Sequence, residues 1–162
     1  MDTLKAKILS ALEKKACTKQ AIYRYTLEVF NEMKEQAQAL VTDLADQFDD
    51  IDEHVKIEYT NVNEFEFHVK FSGDLLIFTM HTNVTTFQHE HIIFKNPYIQ
   101  ADSQRAYFGQ VMVYNFMADS LRYNRLGDPG YLLARMMINQ DRHFYIEGVR
   151  QLEILYPDIS RN

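Results

Sequence analysis

The sequence predicts an α+β domain: a long N-terminal amphipathic helix, preceded by a short one, packed on an antiparallel meander sheet of about six strands. Three observations carry this. An apolar stripe runs at helical spacing from Ile22 to Ile51, and the hydrophobic period changes to two from residue 55. The strands that follow are sequence neighbours with no helical crossover between them, which makes their pairing antiparallel.

Residues 3–16 place Leu4, Ile8, Ala11 and Leu12 on one face of a short helix. Cys17-Thr18 then reads as a break, with the Thr18 hydroxyl able to cap the helix that follows. In that helix, Ile22, Thr26, Val29, Met33, Ala37, Leu40, Leu44, Phe48 and Ile51 advance by three or four residues. The mean step is close to the ~3.6 of a straight helix, and no Gly or Pro interrupts it. A helix over 18–50 would be about 45–50 Å long. A ten-residue strand covers only about 33 Å, so the helix would overhang its sheet. Overhanging apolar surface finds a partner, and the stripe from 22 to 51 predicts a homodimer.

Phe65, Phe67, Val69 and Phe71 alternate with Glu64, Glu66, His68 and Lys70, the pattern of a half-buried strand. Ser72-Gly73-Asp74 reads as a three-residue turn, pairing Phe71 with Leu75 and Val69 with Ile77 on the return strand 75–81. A third strand is expected over 85–94, ended by Asn96-Pro97, and a polar connection over 99–106 leads to a fourth over 110–116. Residues 119–130 read as a loop closed by Asp128-Pro129-Gly130. The last hairpin joins 131–138 to 143–148. Pairing Ile138 with Phe144 puts Ala134, Met136, Ile138, Phe144 and Ile146 on one face and sets Arg135 opposite Glu147. Its loop places Arg142 where glycine is preferred. The 162 residues thus read as one domain: helical over 1–53, sheet over 54–148, and a short C-terminal helix or tail over 149–162.

Composition narrows the function classes. The net charge is −6, which argues against duplex nucleic acid, since phosphate neutralisation needs a basic face. No apolar run approaches the ~20 residues that span a bilayer. The N-terminus lacks the apolar core of a secretory signal, so the expected compartment is the cytoplasm, and Asn83-Val84-Thr85 reads as a chance glycosylation match. Cys17 is the single cysteine, which excludes an internal disulfide. No glycine-rich phosphate loop and no Gly-x-Ser-x-Gly setting occurs; neither a cofactor nor nucleophilic catalysis is expected.

Three clusters remain as candidate sites. Arg105, Tyr107, Arg122, Tyr123, Arg125 and Arg135 form an arginine/tyrosine set suited to an anion, with Arg122 and Arg125 flanking Tyr123 on a long loop. Arg122, Tyr123, Arg125, Arg105 and Arg135 are therefore the expected ligand-binding residues. His89 and His91 stand two apart on an expected strand, a weak metal pair whose ordinary reading is solvated or stacked rings. Asp43, Asp46, Asp49, Asp50, Asp52 and Glu53 crowd the C-terminal end of the long helix against its dipole, most simply as a solvated helix end. The reading that follows is a non-catalytic, dimeric binding module for a small anionic ligand or a protein partner. One alternative is a small enzyme with an acid/base site from His89 or His91, Glu90 and Arg122. Another is a structural subunit held through its acidic helix end.

Overall fold

A computed structural model describes residues 2–49, 51–149 and 157–160. One helical rod, α1 (Asp2–Ala11), a π-helical segment (Leu12–Ala16) and α2 (Cys17–Asp49), runs into a six-stranded antiparallel sheet. The strands are β1 (Ile57–Asn63), β2 (Glu66–Phe71), β3 (Asp74–Thr85), β4 (Phe108–Met117), β5 (Tyr131–Ile138) and β6 (Phe144–Gly148). They lie side by side in chain order. Among the described residues no helix is long and apolar enough to cross a membrane.

The expected break at Cys17-Thr18 is absent. The backbone stays helical on both sides of the π segment, and the Thr18 hydroxyl lies 2.8 Å from the Lys14 carbonyl, bonding back into a continuing helix instead of capping a new one. A π turn absorbs one extra residue without ending the rod.

The stripe of α2 is spent in part on the protein's own sheet: Ile22 and Thr26 are buried, and Met33 and Ala37 pack on the core. Phe30 and Val41, next to the expected stripe positions Val29 and Leu40, join Phe67, Val69, Met80 and Val111 in that core. Two of the expected stripe residues, Leu40 and Ile51, are 56% and 70% exposed. The overhang lies elsewhere. Every described side chain from Thr3 to Lys15 is exposed, so the rod projects past the sheet at its N-terminal end.

The β2–β3 hairpin corrects the expected register. Its loop is two residues, Ser72-Gly73, with Ser72 at φ 53°, so Phe71 pairs with Asp74, Val69 with Leu76 and Phe67 with Phe78. The slip of one residue sends Leu76, Phe78 and Met80 to the helix side and Leu75 and Ile77 to the other. The expected strand over 85–94 does not form either. β3 extends to Thr85, and the chain then leaves the sheet for a 3-10 turn (Ile92–Lys95), α3 (Pro97–Ala101) and a second 3-10 turn (Ser103–Ala106). The sixth strand is instead β1, an edge strand. The final hairpin is as expected: Ile138 faces Phe144, Arg135 faces Glu147, and Arg142 takes φ 62°. Most of the expected C-terminal helix falls on residues 150–156, outside the described residues.

Two cores follow, one on each face of the sheet. On the face away from α2, the excursion over 86–106 packs Ile93, Ile99 and Ala106, with Phe87, Phe94 and Tyr98, onto Phe108, Met137 and Tyr145, joined by Ile159. It covers only the β4–β6 end of that face. The opposite end, over the β2–β3 hairpin, is left to a single turn of helix, α4 (Ala118–Arg122).

Candidate functional site

The open end of the helix-free face forms a cleft between α4 and the β2–β3 hairpin. Alternation along β2 puts His68 and Lys70 on this face, and the register brings Leu75 beside Lys70 and Phe116. β4 ends at Met117, and α4 folds back because the Ala118 amide donates to the Gly73 carbonyl at 2.8 Å. The fold-back holds because buried Ser120 donates to Asp128 at 2.7 Å and Gly130 lies against the Phe116 ring. The cleft has a volume of about 550 Å³, within the range of small-molecule sites. Leu75, Met117 and Leu121 line it together with His68, Lys70 and Arg122.

Its basic side chains differ in how far they are committed. Lys70 pairs with Glu58 at 2.9 Å, and the His68 ring lies 2.6 Å from Glu66. Arg122 is exposed and meets no carboxylate among the described residues; its guanidinium lies 5.3 Å from the Tyr123 ring. Arg125 approaches the same ring at 5.5 Å and lies 3.9 Å from Asp128. Arg122 and Arg125 thus converge on Tyr123, with Arg122 alone of the two lining the cleft.

The structure places the other expected ligand residues apart from this loop. Arg135 bonds Glu147 across β5 and β6 at 2.9 Å. Arg105 lies 2.9 Å from Asp141, donates to the Tyr98 carbonyl at 3.0 Å and stacks on the Tyr98 ring at 4.3 Å. These two guanidinium groups are tied into the packing of the β5–β6 hairpin, whereas His68, Lys70, Leu75 and Leu121, which the sequence did not mark, share the cleft with Arg122.

His89 and His91 do not face one another from a strand. His89 is exposed near Phe94, while His91 stacks on Phe87 at 3.9 Å between ring centroids. The His91 Nδ1 accepts the Ile93 amide proton at 3.2 Å, which leaves the ring proton on Nε2, facing Glu147 Oε1 at 3.8 Å. The carboxylate beside His91 is therefore Glu147, already held by Arg135, and not Glu90. The Nδ1 contact caps the 3-10 turn that follows, and stacking on Phe87 holds the ring in place. Among the described residues, no group of three His, Cys, Asp or Glu side chains is placed to hold a metal ion.

The most perturbed titrating group, Tyr98, lies in the hairpin network. Its hydroxyl donates to Asp141 at 2.6 Å and accepts from Asn139, itself fully buried, at 3.0 Å. Burial first, then the hydrogen bond to Asp141, push the Tyr98 phenol up to about 12 from its usual 10.0. Burial also raises Tyr59 and Tyr145. A phenol whose folded pKa lies above its unfolded one stabilises the fold below about pH 10 and loses that contribution as pH climbs toward about 12. The urea midpoint is therefore expected to fall across that window. Tyr98→Phe should flatten the fall, with a residual slope from Tyr59 and Tyr145; an equally steep fall in the variant would contradict the assignment.

No family model matches the chain, and neither does any curated protein or solved structure.

Proposed function

We propose that the protein is a non-catalytic binding module whose ligand carries one anionic group on an apolar body, held in the cleft between α4 and the β2–β3 hairpin. One observation carries this reading. Arg122, a cation without a carboxylate partner among the described residues, borders a cavity sized for a small molecule and lined by buried Leu75 and by exposed Leu121 and Met117. A planar guanidinium suits a carboxylate, sulfonate or phosphate bidentately. Lys70 and His68 are held by Glu58 and Glu66 and leave Arg122 as the cation free for the ligand. Asp119 on the rim disfavours a dianion in favour of a single charge.

Anilinonaphthalene sulfonate, an apolar body with one sulfonate, tests this by fluorescence, with decanoate as competitor. The native protein is expected to bind the dye and release it to decanoate. Arg122→Ala should weaken both about tenfold, a loss of about 1.4 kcal/mol, with an unchanged unfolding midpoint because the side chain is exposed. Equal affinity in the variant would contradict the reading.

A further inference from the structure

The exposed N-terminal part of the rod and a groove near its other end are complementary. Leu4, Ile8 and Leu12 recur every four residues along one stripe and are 65%, 51% and 54% exposed. Lys5 and Lys7 flank that stripe, and Lys14 and Lys15 follow it; the four lysines meet no carboxylate among the described residues. At the other end, α2 and the edge strand β1 enclose a groove of about 530 Å³ floored by Val41, Ala45, Ile57 and Tyr59. Asp46 lines it and Asp43 is exposed on the same part of α2, while the Glu58 side chain turns to the other face of β1, where it pairs with Lys70.

A basic amphipathic helix and an acidic, apolar groove fit as helix and receptor. They cannot meet within one chain, because residues 8 and 42 stand about 50 Å apart along one continuous helix. We infer that a second copy of this chain is the occupant: the Leu4–Leu12 face of each protomer docks in the α2–β1 groove of the other. A two-fold arrangement makes the contact twice, each copy supplying the basic helix once and the acidic groove once. Two reciprocal contacts are what a specific interface of about 1,200–2,000 Å² requires of elements this narrow. The groove uses the 38–46 part of α2, beside the expected Ile22–Ile51 stripe and away from the Arg122 cleft.

Light scattering coupled to size exclusion tests the inference on the full chain. At micromolar concentration the mass is expected to be twice 19.2 kDa, with a dissociation constant that rises with salt because flanking charges are screened. Ile8→Glu should raise that constant more than tenfold. Two charge-reversed proteins, Lys5→Glu/Lys7→Glu and Asp43→Lys/Asp46→Lys, should each be monomeric, and mixing them should restore a dimer in which both contacts are again complementary. All five positions are exposed, and far-UV circular dichroism checks that each variant keeps its helix. A native monomer at the highest micromolar concentration would overturn the inference, even one that binds anionic vesicles through α1. A native dimer indifferent to salt, an Ile8→Glu dimer with an unchanged dissociation constant, or folded variants that stay monomeric when mixed would do the same.

Discussion

Phe67→Ala is expected to cost about 4 kcal/mol of folding free energy, read as a lower urea midpoint at unchanged slope. Phe67 is fully buried where α2 meets the sheet. Its ring stacks on Phe78 at 4.5 Å between centroids and 8° between planes, and meets Phe30 of the helix at 5.4 Å and Tyr59 of the edge strand at 5.6 Å. Removing it forfeits the transfer free energy of a phenyl ring, opens a cavity among neighbours fixed on three separate elements, and breaks aromatic contacts worth about 0.5–1.5 kcal/mol each. In a domain stable by about 5–15 kcal/mol, such a loss leaves the fold marginal. The neighbouring Phe65 and Phe71 are only half-buried, so the same truncation there should cost about half as much. Equal costs at all three positions would show that the Phe67 cluster is not the centre of the helix–sheet core.

Gly109→Ala is the second large effect, and it acts by crowding. A Cβ at Gly109 would stand 1.9 Å from the Thr26 Oγ1 and 2.8 Å from the Thr26 Cβ. Thr26 is itself fully buried and bonded to the Ile22 carbonyl at 2.7 Å, so it has no free direction in which to yield. Relief requires α2 to lift from β4, which disturbs contacts along the whole rod. The expected cost is about 3 kcal/mol, at the upper end of ordinary overpacking. Thr26→Ala removes the nearest atom and leaves the Cβ, so the double variant should recover part of the loss and depart from additivity by about 1 kcal/mol. Strict additivity would contradict the close approach of helix and sheet at this point.

Particular residues explain which parts of the architecture were legible. The β5–β6 hairpin could be read because its two arms alternate cleanly and Arg135 and Glu147 mark the register with opposite charges. Even the disfavoured Arg142 is real: it adopts the left-handed backbone that glycine would have taken more easily. The β2–β3 register was not legible, because Leu75, Leu76, Ile77 and Phe78 are apolar at four consecutive positions and alternation cannot choose a face. The two-residue turn chooses it. The count of six strands came out right through a substitution: β1, with Asn61 and Asn63 on an exposed edge, gives almost no periodic signal, whereas 85–94 alternates well but leaves the sheet to cover its second face. In the long helix, adjacent apolar pairs, Val29 with Phe30 and Leu40 with Val41, allow either member to face inward. Packing selects Phe30 and Val41.

Of the five expected ligand residues, Arg122 lines the cleft, and the reason is tertiary. Arginines marked on residue type alone divide once their neighbours are known: Arg105 and Arg135 find Asp141 and Glu147 within the hairpin, and Arg125 stays on the loop beside Asp128. His68 and Lys70 read as the solvent side of a strand until α4 folds over them, and nothing local in either segment signals that meeting.

The most direct test of the cleft is a map of amide chemical shifts during titration with decanoate, which supplies one carboxylate on an apolar chain. The binding reading predicts saturable shifts confined to residues 68–75 and 117–122, with a midpoint about tenfold higher in Arg122→Ala. Shifts concentrated on α2 or the Tyr98 network, or no saturable shifts at all, would contradict it.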